Sequence, residues 1–157
     1  MKRLLLILAL ALPLVAQTPS YTATKTTTLS SAAEAITIQA PGAAGTRPTK
    51  LITLTGASVN CSVACTVTVE RDGTAATTTA LTVSPLDYHY PAAQAVAFSA
   101  SNVGSATATL ASYPIVAGAT VLIDLSTKQL LSGGDNLTIR TNSITGTVVI
   151  NFAWTEK

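Results

Sequence analysis

The chain has 157 residues, enough for one domain with a substantial core. Its formal net charge of +2 rests on Lys2 and Arg3; without them seven basic residues face seven acidic ones. A neutral chain with 10% charged residues and 27 threonines lacks the basic surface that nucleic acid requires, and its sheet edges are poorly protected against self-association.

Residues 1–16 read as a signal peptide. Lys2 and Arg3 form a positive start, and residues 4–14 are an apolar run too short for a comfortable membrane span. Ala16 is a small residue at the cleavage point, although Leu14 departs from the small residue usual two places before it. No Cys follows the run to carry a lipid. The expectation is cleavage before Gln17 and export from a bacterium, giving a secreted, cell-surface or periplasmic protein with no stable membrane insertion afterwards. An uncleaved anchor is the competing reading.

Residues 17–33 form an N-terminal arm or edge strand in this reading. Their stretch 21–29 is β-prone through its threonines but offers almost no apolar face. Residues 34–157 make up the folded domain. Within it, 34–39 alternates with Ile36 and Ile38 inward, and 40–49 is a loop marked by Pro41, Gly42, Gly45 and Pro48. A strand over 50–59 carries Leu51, Ile52 and Leu54, with Gly56 marking a bulge or a bend.

Cys61 and Cys65 follow, in N-C-S-V-A-C-T. An even pair in an exported chain points to a disulfide that fixes the turn between two strands. The spacing is not that of a redox C-x-x-C, and no His or second Cys pair stands by to complete a zinc site, so no metal and no cofactor is expected. Closing so short a loop is worth about 2 kcal/mol in the chain-entropy model. Two free buried thiols are the competing reading, because short loops are geometrically demanding.

Residues 65–71 alternate, and Asp72-Gly73 is the strongest hairpin signal in the chain. It predicts that 65–71 folds back onto 74–83 and joins 50–59 in a three-strand meander. Residues 84–93 form a loop between two prolines. Residues 94–100 read as a strand through Val96 and Phe98, 102–105 as a turn, and 106–112 as a strand or a long loop. A strand over 119–125 places Val121, Ile123 and Leu125 on one face, and a turn of helix fits only near 127–131. Two alternating stretches close the chain. In 136–141 Leu137 and Ile139 face inward; in 146–156 Val148, Ile150, Phe152 and Trp154 do. Asn142 and Ser143 lie between them as turn residues, predicting a hairpin at the centre of the fold. Roughly nine or ten short strands at this spacing give an all-β class: a two-sheet antiparallel β-sandwich of jelly-roll or Greek-key type.

The chain is poor in chemistry. Asp87 and Asp124 are the only carboxyls worth weighing as a glycosidase pair, and nothing in their spacing asks for one. A catalytic triad would have to use His89, the one histidine, and no G-x-S-x-G elbow supplies a nucleophile. The run 132–136 holds one carboxylate, too few for Ca²⁺, and the sequons at Asn60 and Asn136 are accidental in a bacterial exported chain. No catalytic residue is assigned.

Asp87, Tyr88, His89 and Tyr90 make the one cluster that resembles a ligand site, with tyrosine rings to stack on sugar faces and Asp and His to hydrogen-bond hydroxyls. The competing reading packs one of these tyrosines inward as a cap on the open end of the sandwich. The expectation is a non-enzymatic structural or interaction protein that associates with itself or another surface protein. A carbohydrate-binding module using the 88–90 loop is the alternative.

Overall fold

The computed structural model describes residues 18–43, 45–47, 50–71, 79–101, 108–130 and 132–157. The signal-peptide reading of 1–16, the Asp72-Gly73 turn and the turn at 102–105 lie outside the described residues. Twelve strands are present among those described: β1 (Ser20–Ala32), β2 (Glu34–Gln39), β3 (Ile52–Cys61), β4 (Cys65–Arg71), β5 (Thr79–Ala80), β6 (Val83–Pro85), β7 (Val96–Ser101), β8 (Ala108–Ile115), β9 (Thr120–Asp124), β10 (Gln129–Leu130), β11 (Asn136–Thr141) and β12 (Ile144–Glu156). The described residues contain no helix.

Every strand pair is antiparallel, and the strands form two sheets. The first runs β6-β1-β12-β3, with β9 and β10 both on the far edge of β3. The second runs β5-β7-β2-β11-β4-β8. The inner faces of the two sheets meet in one apolar core, the arrangement of a β-sandwich.

Alternation sets which residues reach that core. On β12, Val148, Ile150, Phe152 and Trp154 are all fully buried, and on β2 so are Ile36 and Ile38. Leu137 and Ile139 of β11, beside Ile38 and Ile36 in the second sheet, are buried too. On β3 the inward phase changes partway. Ala153 lies opposite Gly56 but Trp154 opposite Leu54, so Thr55 is an extra residue, a β-bulge. The bulge lets Ile52 and Leu54 on one side of it, and Ala57, Val59 and Cys61 on the other, all point inward.

The link 142–143 does not make a hairpin. β11 pairs with β2 and β4, and β12 with β1 and β3, so the chain changes sheet there. Asn142 makes this corner. Its N–H donates to Thr66 O at 2.9 Å and its Oδ1 accepts from Thr66 N at 2.7 Å, which holds Asn142 against the start of β4. The meander is absent for the same reason. β3 belongs to the first sheet and β4 to the second, β4 is flanked by β11 and β8, and Thr79–Ala80 pairs with β7. The Cys61–Cys65 disulfide therefore straps one sheet to the other, since Cys61 lies opposite Val148 and Cys65 opposite Ile115.

Three further expectations change. In place of a helical turn near 127–131, Gln129–Leu130 joins the edge of β3 and buries Leu130. On β7, Ala97 and Ser99 face inward, whereas Val96 is exposed and Phe98 half-buried on the outside. The stretch 21–29 does have an apolar face: Tyr21, Ala23 and Leu29 are buried, and β1 lies beside β12 over its whole length up to a bulge after Leu29.

Candidate functional site

The four site residues of the sequence reading sit on the loop between β6 and β7, at the end of the sandwich where β12 finishes. The loop leaves the first sheet through Leu86, whose N–H donates to Ser20 O at 2.9 Å. The Asp87 side chain then organises the turn. Its Oδ1 accepts from the His89 backbone N–H at 2.9 Å and lies 2.9 Å from His89 Nδ1. Tyr90 N–H closes the turn on Asp87 O at 3.0 Å. The His89 backbone N–H, and after it the His89 side chain, hold the Asp87 carboxyl below the ordinary aspartate range. This carboxylate stays ionised at neutral pH and accepts only.

The rings of Tyr88 and His89 lie 3.7 Å apart between centroids, tilted by 37°. Tyr88 is 85% exposed, and Leu86 beside it is also exposed. The structure thus brings Asp87, Tyr88 and His89 together in one exposed turn, with Tyr90 half-buried behind them. A further tyrosine, from β1, fills the core at this end of the sandwich. Tyr21 is fully buried against Trp154, with ring centroids 6.0 Å apart, and its hydroxyl donates to Pro91 O at 3.0 Å. Burial, and then the nearby Glu156 and Tyr90, raise the Tyr21 pKa, which keeps that hydroxyl a donor.

What fixes the loop from below is Glu156, the last residue of β12. Its side chain is fully buried. Gln94 N–H donates to both of its oxygens at 3.0 and 2.9 Å, Ala95 N–H donates to Oε1 at 2.9 Å, and Trp154 Nε1–H donates to Oε1 at 3.2 Å. A buried carboxylate so surrounded by N–H donors is satisfied rather than strained. One signal could have found it: Glu156 shares the parity of Trp154, so the alternation that puts the tryptophan inward puts the glutamate inward too.

The remaining candidates are dispersed. Asp124 stands on β9 at the edge of the first sheet opposite to β6 and the loop that carries Asp87, so the two carboxyls do not flank a common site. Asp135 is engaged in its turn, accepting from Ser132 N–H at 3.0 Å and pairing with Arg71 at 3.5 Å. The Asn60 amide donates to Gly118 O, Ala119 O and Thr120 Oγ1 at 3.0–3.2 Å. Among the described residues no group of three or more His, Cys, Asp or Glu converges as metal ligands would.

Compared with known proteins, the chain matches no family model, no curated protein and no solved structure.

Proposed function

We propose that this chain is an exported, non-enzymatic structural protein, a jelly roll that associates with copies of itself at the cell surface or outside the cell. The strand order supports the jelly roll. Four strands in each sheet, β1-β12-β3-β9 and β2-β11-β4-β8, follow the wrap of paired Greek keys, and β5, β6 and β7 extend the sheets as an insertion between β4 and β8. The positive start and apolar run of residues 1–16 support export, and so does a disulfide in a neutral chain.

The observation that carries self-association is the edge of β1. β6 covers only Tyr21–Ala23, and no described strand pairs with the rest of that edge. Pro19 O accepts from Glu156 N on β12, whereas Ser20 O accepts from Leu86 N on the other side. Backbone groups alternate sides along a strand, so Thr24, Thr26 and Thr28 send their N–H and C=O out of the open edge. Such an edge is a template for another strand. A second copy in antiparallel register about Thr26 sets Thr24 opposite Thr28 and Lys25 opposite Thr27, so the two lysines do not meet.

Light scattering on the mature protein, residues 17–157, tests this. Thr26→Pro removes an edge donor and no bond to β12, so it dissolves the oligomer while the monomer stays folded. A strict monomer at high concentration, or an oligomer indifferent to Thr26→Pro, defeats the proposal. The exposed Asp87-Tyr88-His89 turn supports a second reading, glycan binding at that loop. Unchanged glycan binding in Tyr88→Ala would remove it.

A further inference from the structure

The outer face of the first sheet bears a hollow of about 460 Å³, within the range of small-molecule sites. Strand register explains its shape. Ala153, Gly56 and Asp124 lie side by side across β12, β3 and β9, and the next row is Asn151, Ser58 and Leu122. Gly56 and Ala153 make a low floor. Asn151 and Ser58 rise along one side, the Asp124 carboxylate stands at one end, and Leu122, 79% exposed, forms an apolar wall.

The chemistry of the lining narrows the ligand. Among the described residues no Lys, Arg or His lines the hollow, which leaves an anion without a partner there. A purely apolar ligand would strip water from a carboxylate, an amide and a hydroxyl and return nothing. A polyol satisfies all three. Its hydroxyls donate to Asp124, and both donate to and accept from Asn151 and Ser58, while its C–H face lies on Leu122. Asp124 is set up as an acceptor. Ser126 N–H donates to its Oδ1 at 2.9 Å, and that bond, with a second from the Ser126 side chain, holds its carboxyl below the ordinary range. Asn151 is held in place by Thr22 Oγ1, 2.6 Å from its Oδ1.

We propose that this hollow is a binding site for a neutral oligosaccharide. It is separate from the loop that carries Tyr88, because β9 and β6 lie at opposite edges of the sheet. It also does not depend on self-association through β1.

The test is a titration of the isotope-labelled mature protein with cello-, xylo-, manno- and chito-tetraose, followed by backbone amide shifts. At least one of these sugars should move the amides of Gly56, Ser58, Leu122, Asn151 and Ala153. Asp124→Asn and Leu122→Ala alter exposed side chains and leave the spectrum otherwise folded. Each should weaken that binding about tenfold or more, the size of losing a hydrogen bond to a charged group or an apolar contact at a small site. No shift in the hollow with any of the four sugars up to about 10 mM, the weak limit of meaningful affinity, overturns the proposal. So do shifts confined to residues 86–90, and so does binding that both variants leave unchanged.

Discussion

The two faces of β12 are interleaved residue by residue and yet do different work. Val148, Ile150, Phe152, Trp154 and Glu156 face inward and are buried; Thr147, Val149, Asn151, Ala153 and Thr155 face outward and are half-exposed. The inner face is large, apolar and terminated by one carboxylate held by N–H donors. The outer face is small, uncharged and continuous with the threonines of β1 and with Ser58 and Asn60 of β3. The second sheet shows that an uncharged outer face is not forced on a central strand: β4 and β11 carry the Glu70–Arg140 pair at 2.7 Å on theirs. The inner face of β12 specifies the fold, and its outer face stays half-exposed.

The largest break in this contrast comes from Trp154. It is fully buried between the sheets, against Tyr21, and its indole N–H reaches Glu156. Truncation to alanine leaves a cavity that costs about 3–5 kcal/mol, a large part of a domain's stability. Urea unfolding of Trp154→Ala should show that loss or no folded baseline at all. Native tryptophan fluorescence at the position of free indole in water would put the inner face of β12 outside.

Glu156 comes next, because it ties the inner face to the 86–95 loop. Glu156→Gln keeps the shape, but even with its amide oxygen in the Oε1 place, accepting from Ala95 and Trp154, its NH2 group stands where Oε2 accepted from Gln94 N–H. The loss of charge-assisted hydrogen bonds, with donors left unmatched, should cost about 1–3 kcal/mol. Amide hydrogen exchange adds a local reading. Gln94 and Ala95 should lose protection more than the middle of β12 does. Uniform loss throughout the domain would mean that the carboxylate supports the core and not the loop.

These residues also show what was legible in the sequence. Alternation gave the inward face of β12, β2 and β11 correctly, since a half-buried strand writes its buried side into every second residue. It is silent on which neighbour a strand takes. Asn142 and Ser143 have the composition of a hairpin turn, but the bonds of Asn142 to Thr66 carry the chain to the other sheet. Cys61 and Cys65 were legible as a disulfide, but not as a strap between sheets, because spacing fixes closeness and not the layers on either side. On β7 the larger residues Val96 and Phe98 suggested the inward face. Ala97 and Ser99 take it instead, Ser99 opposite Ile36 and Ala97 opposite Ile38. Tyr21 was hidden by the threonines that follow it: the apolar face of β1 is concentrated at Tyr21, Ala23 and Leu29, with Lys25 and Thr27 between. The turn from Asp87 to Tyr90 was legible as a cluster, since its contacts are local in sequence. The hollow beside Asp124 was not, because it is assembled from three strands.

The smallest expected effect is the one that isolates the contrast itself. Valine and threonine have nearly the same shape, so exchanging them changes polarity and little else. Val148 is fully buried, and Val148→Thr places a hydroxyl among apolar side chains at a cost of about 1–3 kcal/mol. The adjacent Thr147 faces out, with its hydroxyl 3.3 Å from that of Thr28 and within reach of water. Thr147→Val keeps the β-branched shape that suits a strand and gives up one exposed hydroxyl pair, so stability should stay within about 0.5 kcal/mol of the parent. The two variants differ by one position along the same strand. Chemical unfolding of both, under one set of conditions, reads the asymmetry of the two faces directly. Equal losses in the two variants would mean that the outer face is as closely packed as the inner one, and that another part of the protein already covers it.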